Sequence, residues 1–187
     1  MLHALSVSKI PRNTSVLSNA NDILRVLVGF KDVRILHLER LGPHVELVIE
    51  REIGVARCAT CGQRTRVKDR PRVSYVDLPV YGSPMRLTWK KHCLRCVKAK
   101  CRATTWIFGD HRIAAKGHLL TTWAAKWATL QVGHGRTVLE VARELVCDWH
   151  TVNDAVATYG AALLAADCKR LNPDHGHWPG RDQLRET

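Results

Sequence analysis

Apolar and polar side chains alternate on both sides of the Gly42-Pro43 step. Val33, Ile35, Leu36 and Leu38 precede it, and Val45, Leu47 and Ile49 alternate with His44, Glu46, Val48 and Glu50 after it. A period of two around a Gly-Pro step predicts a β-hairpin. The same signal predicts a second hairpin, with strands Val73 to Leu78 and Met85 to Trp89 around the turn Tyr81-Gly82-Ser83-Pro84. Upstream, Asn21 to Phe30 sets Ile23, Leu24, Leu27 and Val28 on one face of a short helix, with Asn21 or Asp22 as its N-cap. Past Gly117 the period changes. His118 to Val132 is rich in Leu, Ala and Trp at helical spacing and contains no Pro or Gly, and Gly133 to Gly135 ends it. Thr137 can cap a second helix to about Val146, and Asp148 a third to about Ala166. From Pro173 onward all periodicity is lost. The expected fold class is α+β, a small β-rich module followed by three helices. The segments are 1–32 with the short helix, 33–110 for the β-rich module, 117–168 for the helices, and an aperiodic tail over 173–187.

Charge refines this picture. The 187 residues carry a formal net charge of +12, and the 16 basic and 4 acidic side chains of residues 51–118 account for all of it. A basic module between neutral segments predicts a polyanionic partner, nucleic acid first and anionic membrane second. No apolar run approaches the ~18 residues of a spanning helix, which argues against a membrane protein. Met1 to Ile10 lacks the apolar core and small-residue cleavage site of a secretory signal, so the expected location is the reducing cytoplasm.

Five of the seven cysteines fall inside the basic module, at 58, 61, 93, 96 and 101. The two-residue gap in Cys58-Ala-Thr-Cys61-Gly62 lets neighbouring thiolates take adjacent corners of a tetrahedron, and Gly62 tolerates the positive φ of a tight turn. Spacing allows the second pair to be Cys93 with Cys96 or Cys96 with Cys101. His92 and His111 lie close enough to replace a thiolate, but four sulfurs already suffice. A closed four-ligand zinc has no open position and is structural. Cys147 and Cys168 stand alone on helical patterns and read as core packing. Lys90, Lys91 and Arg95 would then be displayed for phosphate contacts.

Thr137 to Tyr159 fits a helix-turn-helix. Ala142 is the small residue of the first helix, Leu145 packs toward the turn, and Val152 and Val156 anchor the second. Trp149, His150, Thr151 and Asn153 would stand at the start of a recognition helix, where Asn can pair with adenine and Thr can meet a thymine methyl. Val146-Cys147 occupies the place of the usual turn glycine, and an ordinary helical hairpin fits the same pattern.

Several motifs together resemble bacterial insertion-sequence transposases of the ISL-three type. They are Cys58-x-x-Cys61-Gly, Lys68-Asp69-Arg70-Pro71, Val76-Asp77-Leu78-Pro79-Val80-Tyr81-Gly82, Arg95-Cys96-x4-Cys101 followed by Thr105-Trp106, and Asp148-Trp149-His150-Thr151-Val152. The resemblance runs from about Ile23 to Asn172. It implies Cys58, Cys61, Cys96 and Cys101 as the ligands of a structural zinc in a zinc-ribbon-like module. It also implies a helix-turn-helix over 117–168 and double-stranded DNA at transposon ends as the partner, with intact transposase or a second copy of the chain as a further one. The family's catalytic half resembles RNase H and holds two metal ions on three carboxylates. Here only Asp174, Asp182 and Glu186 follow Asp167, all in the aperiodic tail, so this chain is expected to bind DNA without catalysing transposition. Read from the second base of the Pro173 codon, degenerate back-translation permits Thr-Thr-Ala-Ile-Gly-Leu-Asp-Glu-Thr-Ser-Phe-Val-Arg, which resembles the start of that catalytic domain. Residues 173–187 therefore read as a frameshifted tail. The alternative function is a zinc-dependent DNA-binding transcriptional regulator.

Overall fold

The computed structural model describes residues 32–166 together with Asn19, Asp22, Arg25 and Gly29. Asp22 and Arg25 are helical. The rest of the short helix expected over 21–30, Cys168 and the tail over 173–187 lie outside the described residues.

The first hairpin pairs β1 (Val33–Leu41) with β2 (His44–Arg51). Its turn puts Gly42 at φ 59 before Pro43, matching the glycine demanded at the first central position of a II′ turn. β3 (Thr65–Asp69), β4 (Arg72–Val80), β5 (Ser83–Lys90), β6 (Cys93–Cys96) and β7 (Thr105–Ile107) follow. Tyr81 (φ 49) and Gly82 (φ 73) form the two-residue turn between β4 and β5, with both φ positive as a I′ turn requires. The main sheet has the order β1-β2-β5-β4, antiparallel except for the central β2·β5 pair. A smaller antiparallel sheet has the order β3-β6-β7. Two chain segments run through both sheets, β3 into β4 and β5 into β6. They pass from one sheet to the other at Arg70-Pro71 and Lys91-His92, where Lys91 donates its N–H to the Pro71 carbonyl at 2.9 Å.

Strand alternation sorts the main sheet into two faces. One buries Val33, Ile35, Leu47, Ile49, Tyr75, Met85, Leu87 and Trp89 under Ile113 and Ala114. The other is polar, and the ladder register sets its side chains in rows. Arg34, Glu50, Lys90 and Arg72 form one row across β1, β2, β5 and β4, while Glu39, Glu46, Arg86 and Val76 form another.

The helices are α1 (Thr122–Gly133), α2 (Val138–Leu145) and α3 (Trp149–Ala166). The first starts later than the expected His118, because residues 119–121 run beside β4 instead. Val76 donates to the Leu119 carbonyl at 2.8 Å, and Thr121 donates back to the Val76 carbonyl at 3.0 Å. Thr121 then caps α1, its Oγ1 accepting from the Ala124 N–H at 3.1 Å while donating to Asp77 Oδ1 at 2.6 Å. Burial raises the Asp77 carboxyl above its usual range, although these hydrogen bonds oppose the shift. The start of α2 is fixed by a capping box, in which Thr137 Oγ1 accepts from Glu140 N–H and Glu140 Oε2 accepts from Thr137 N–H. Asp148 Oδ1 accepts from His150 N–H at 2.7 Å at the start of α3. Leu120, Ala124, Ala125, Ala128, Val141, Ala142, Leu145, Val152 and Ala155 form the bundle core, which reaches the sheet through Val76. Among the described residues, no helix is long and apolar enough to cross a membrane.

Candidate functional site

Two loops bring four sulfurs together at one end of the small sheet. In the first loop Gly62 N–H donates to the Cys58 carbonyl and Cys58 N–H to the Gln63 carbonyl, both at 2.8 Å. Gly62 has φ 68, which closes the turn at no steric cost. In the second, Cys96 leaves β6 and Cys101 N–H donates to the Lys98 carbonyl at 3.1 Å. Cys58 Sγ then lies 3.7 Å from Cys101 Sγ, and Cys61 Sγ 3.5 Å from Cys96 Sγ. All four ligand atoms fall within 4.8 Å of one another. A tetrahedron of sulfurs with ~2.3 Å bonds to zinc has edges of about 3.8 Å, so the cluster has the dimensions of a four-thiolate site. Cys93 is on β6 opposite Asp69 and Ile107 and is not part of this cluster.

The thiols are electrostatically unequal. Burial works to raise Cys58, but hydrogen bonds from the backbone N–H groups of Thr60 and Cys61 and with the Cys101 and Cys61 sulfurs together outweigh it and bring this thiol down to about 6. Cys101 is pushed up to about 12 by burial and by the neighbouring sulfurs, against a backbone hydrogen bond at Ala103. Four sulfurs at this spacing resist carrying four negative charges unless a cation compensates them. Cys147 is half-buried against the helical core, and burial raises its thiol.

The expected base-reading residues lie at the start of α3. Trp149, His150 and Asn153 are exposed, with the Trp149 and His150 rings stacked at 3.8 Å between centroids. Val152 and Ala155 point into the core. Thr151 is half-buried and lines a cleft of about 380 Å³ between the α2–α3 turn and the polar sheet face, together with Arg86, Glu46 and Ser74. The turn itself departs from the usual glycine. Val146 adopts φ 52, ψ 54, and Arg86 donates to its carbonyl at 2.9 Å, fastening the turn to β5.

The three expected phosphate-binding residues occupy different surfaces. Lys90 is in the first row of the polar face, beside Arg72. The Lys91 ammonium instead lies over the Trp89 and Tyr75 rings, 4.6 and 5.4 Å from their centroids. Arg95 is exposed on β6 between Arg66 and Thr105.

A charged cluster that the sequence reading missed sits where the two sheets meet. The Glu50 carboxylate is buried and takes Arg34 Nη2 at 2.5 Å, Arg70 Nε at 2.9 Å and His92 Nε2 at 3.3 Å. Burial opposes its charge, but Arg34, His92 and Arg70 together hold this carboxyl below its usual range. His92 moves down as well, chiefly through burial, with Glu50 opposing. Its Nε2 faces the Glu50 carboxylate, and its Nδ1 is buried without a hydrogen-bond partner among the described residues. The alternation of β2 does place Glu50 on the polar face, but no sequence signal marks it as buried.

No family model, curated protein or solved structure matches the chain.

Proposed function

We infer that this chain binds duplex DNA sequence-specifically, with a zinc-stapled β module gripping the backbone and α2–α3 acting as a helix-turn-helix. The observation that carries this reading is the division of α3. Val152 and Ala155 are fully buried, while Trp149, His150 and Asn153 are exposed beside a turn fastened to β5, which lies in the 51–118 stretch whose charge of +12 equals that of the whole chain. A helix that packs through one stripe and presents aromatic, imidazole and amide groups at its N-terminal end suits the major groove, where Asn can read adenine in two hydrogen bonds.

Zinc is the metal that four thiolates at tetrahedral spacing favour, and with every position filled its role is to hold β3, β6 and β7 together. The module is thus read as zinc-ribbon-like. The motifs resembling ISL-three transposases supply the target: terminal inverted repeats of an insertion sequence.

Selection from a random duplex library with the zinc-loaded full chain tests this, followed by footprinting on the ends of a candidate element. The expected result is one enriched motif, present in both ends and protected at submicromolar protein. Binding that never enriches a motif would refute the sequence-specific reading, and absence of binding at low salt would refute DNA binding altogether.

A further inference from the structure

The first row of the polar sheet face gathers four cations around one acid. Arg34, Lys90 and Arg72 share the row with Glu50, and Arg70 reaches the same carboxylate from the crossing between the sheets. If the cluster existed only to cancel charge, its arginines would be covered along with the acid. Instead the Glu50 side chain keeps 6% of its surface, whereas Arg34 and Arg70 keep 59% and 47%. Arg34 meets Glu50 through Nη2 and Arg70 through Nε, so most N–H donors of each guanidinium remain for a ligand. Arg72 and Lys90 enter none of the ion pairs among the described residues. Arginines held in place by a buried partner lose less freedom on binding, and their forks match phosphate oxygens.

We propose that this row is a clamp for the phosphodiester backbone of duplex DNA, with Arg34, Arg70, Arg72 and Lys90 as contact residues and Glu50 as the positioning residue beneath Arg34 and Arg70. The proposal rests on the DNA-binding reading above and deepens it. The α2–α3 turn is fastened to Arg86, four residues along β5 from Lys90, a separation of about 13 Å at the usual rise per residue. That is close to the ~12 Å width of a major groove, so a helix in the groove and a clamp on the flanking strand can serve one duplex. Glu39 and Glu46 lie in Arg86's row and repel phosphate there, which concentrates attraction on the Arg34 row.

The test measures anisotropy of a fluorescein-labelled random-sequence duplex against KCl, using the zinc-loaded full chain. Arg34→Gln combined with Arg72→Gln changes two exposed side chains. It should lower the slope of log K against log salt by about 1.8, at ~0.9 per contact, and weaken binding about tenfold or more at 0.1 M salt. Lys126→Gln, exposed on α1, should leave the slope unchanged. Glu50→Gln gives the sharper sign. It removes a negative charge, so net charge alone predicts tighter binding, whereas a positioning role predicts binding at least about threefold weaker in a variant with unchanged circular dichroism and zinc content. An unchanged slope in the double arginine variant, whether or not Glu50→Gln folds, overturns the clamp while leaving DNA binding intact. Tighter binding by folded Glu50→Gln overturns the positioning role. Failure of the unmodified chain to bind any duplex, with binding to phosphatidylglycerol vesicles instead, overturns the DNA reading itself.

Discussion

Replacing Cys96 with serine should strip the metal and unfold the small sheet while leaving the helical bundle intact. The reason is how little else holds β3, β6 and β7. Leu94 is the one large side chain of that sheet among the most completely buried in the structure, and it belongs to neither main core. Its burial contributes about 2–3 kcal/mol, which offsets the ordering of only about two residues at ~1–2 kcal/mol each. A structural four-ligand zinc contributes about 10–16 kcal/mol at neutral pH, so a zinc bound by these four thiolates would decide whether this sheet holds together. The bundle has its own buried core from Leu120 to Ala155 and should keep its helical signal. Zinc content by a chromogenic chelator, limited proteolysis and far-ultraviolet circular dichroism read the three consequences separately. The unmodified chain should hold one zinc. Cys96→Ser should hold close to none and be cut within residues 56–69 and 93–107. Cys93→Ser, outside the sulfur cluster, should behave like the unmodified chain. If Cys93→Ser loses zinc while Cys101→Ser keeps it, the ligand assignment and the argument from sulfur geometry both fail.

Three further outcomes follow from particular residues. The folded chain favours protonated Asp77 more than the unfolded chain does, so the stability this group contributes is complete below the normal aspartate range near pH ~3.9 and erodes as pH rises through the raised folded value. Asp77→Asn keeps an oxygen for Thr121 and Leu78 and should therefore match or exceed the parent Tm at pH 7, with the advantage gone near pH 4; a deficit confined to pH 7 would contradict the sign. Val146 is a β-branched residue at φ 52, a conformation costing about 1–2 kcal/mol that glycine adopts freely, so Val146→Gly should raise Tm by about 2–4 °C, and a lower Tm would show that its side chain matters more than its backbone. Asn153→Ala should cost about 1–3 kcal/mol at particular base pairs of a selected site and little on random DNA; an equal loss on both would assign the residue to packing.

The parts of the fold that could be read from sequence are those governed by neighbouring residues. Both hairpins follow from alternation broken at Gly42-Pro43 and Tyr81-Gly82, and α2 and α3 follow from Thr137 with Glu140 and from Asp148. The start of α1 could not be read, because His118 to Thr121 suits a helix by composition. Its real partner is the backbone of β4, more than 40 residues earlier. The parallel β2·β5 pairing that joins the hairpins is non-local in the same way. For the sulfur cluster, one Cys-x-x-Cys pair was plain, but the choice between Cys93 and Cys101 depends on where the chain turns after β6. Strand β6 sends Cys96 toward the first loop and leaves Cys93 against Asp69. Glu50 was hidden for a different reason. Its strand position marks it as solvent-facing, yet Arg70 and His92 reach it from the crossing between the sheets and Arg34 from β1.

That crossing also links the sulfur cluster to the polar face. Of the three side chains on Glu50, two belong to the segments that continue into the small sheet: Arg70 follows β3 directly, and His92 precedes β6. If those strands come apart when zinc is removed, Glu50 keeps only Arg34. A buried carboxylate deprived of partners costs about 3–5 kcal/mol, enough to rearrange its surroundings until water reaches it. Chelating the metal should therefore weaken binding to random DNA and lower its salt slope by about 1 or more, although no thiolate touches phosphate. Loss of contacts from Arg95 and its neighbours on the small sheet would have a similar effect, and the Glu50→Gln background separates the two routes. Where chelation acts through Glu50, its effect on affinity shrinks in that background, because both perturbations disable the same cluster. Where it acts only through the small sheet's own cations, the two effects add, and additivity within about 0.3–0.5 kcal/mol would refute the link between the metal and the Arg34 row.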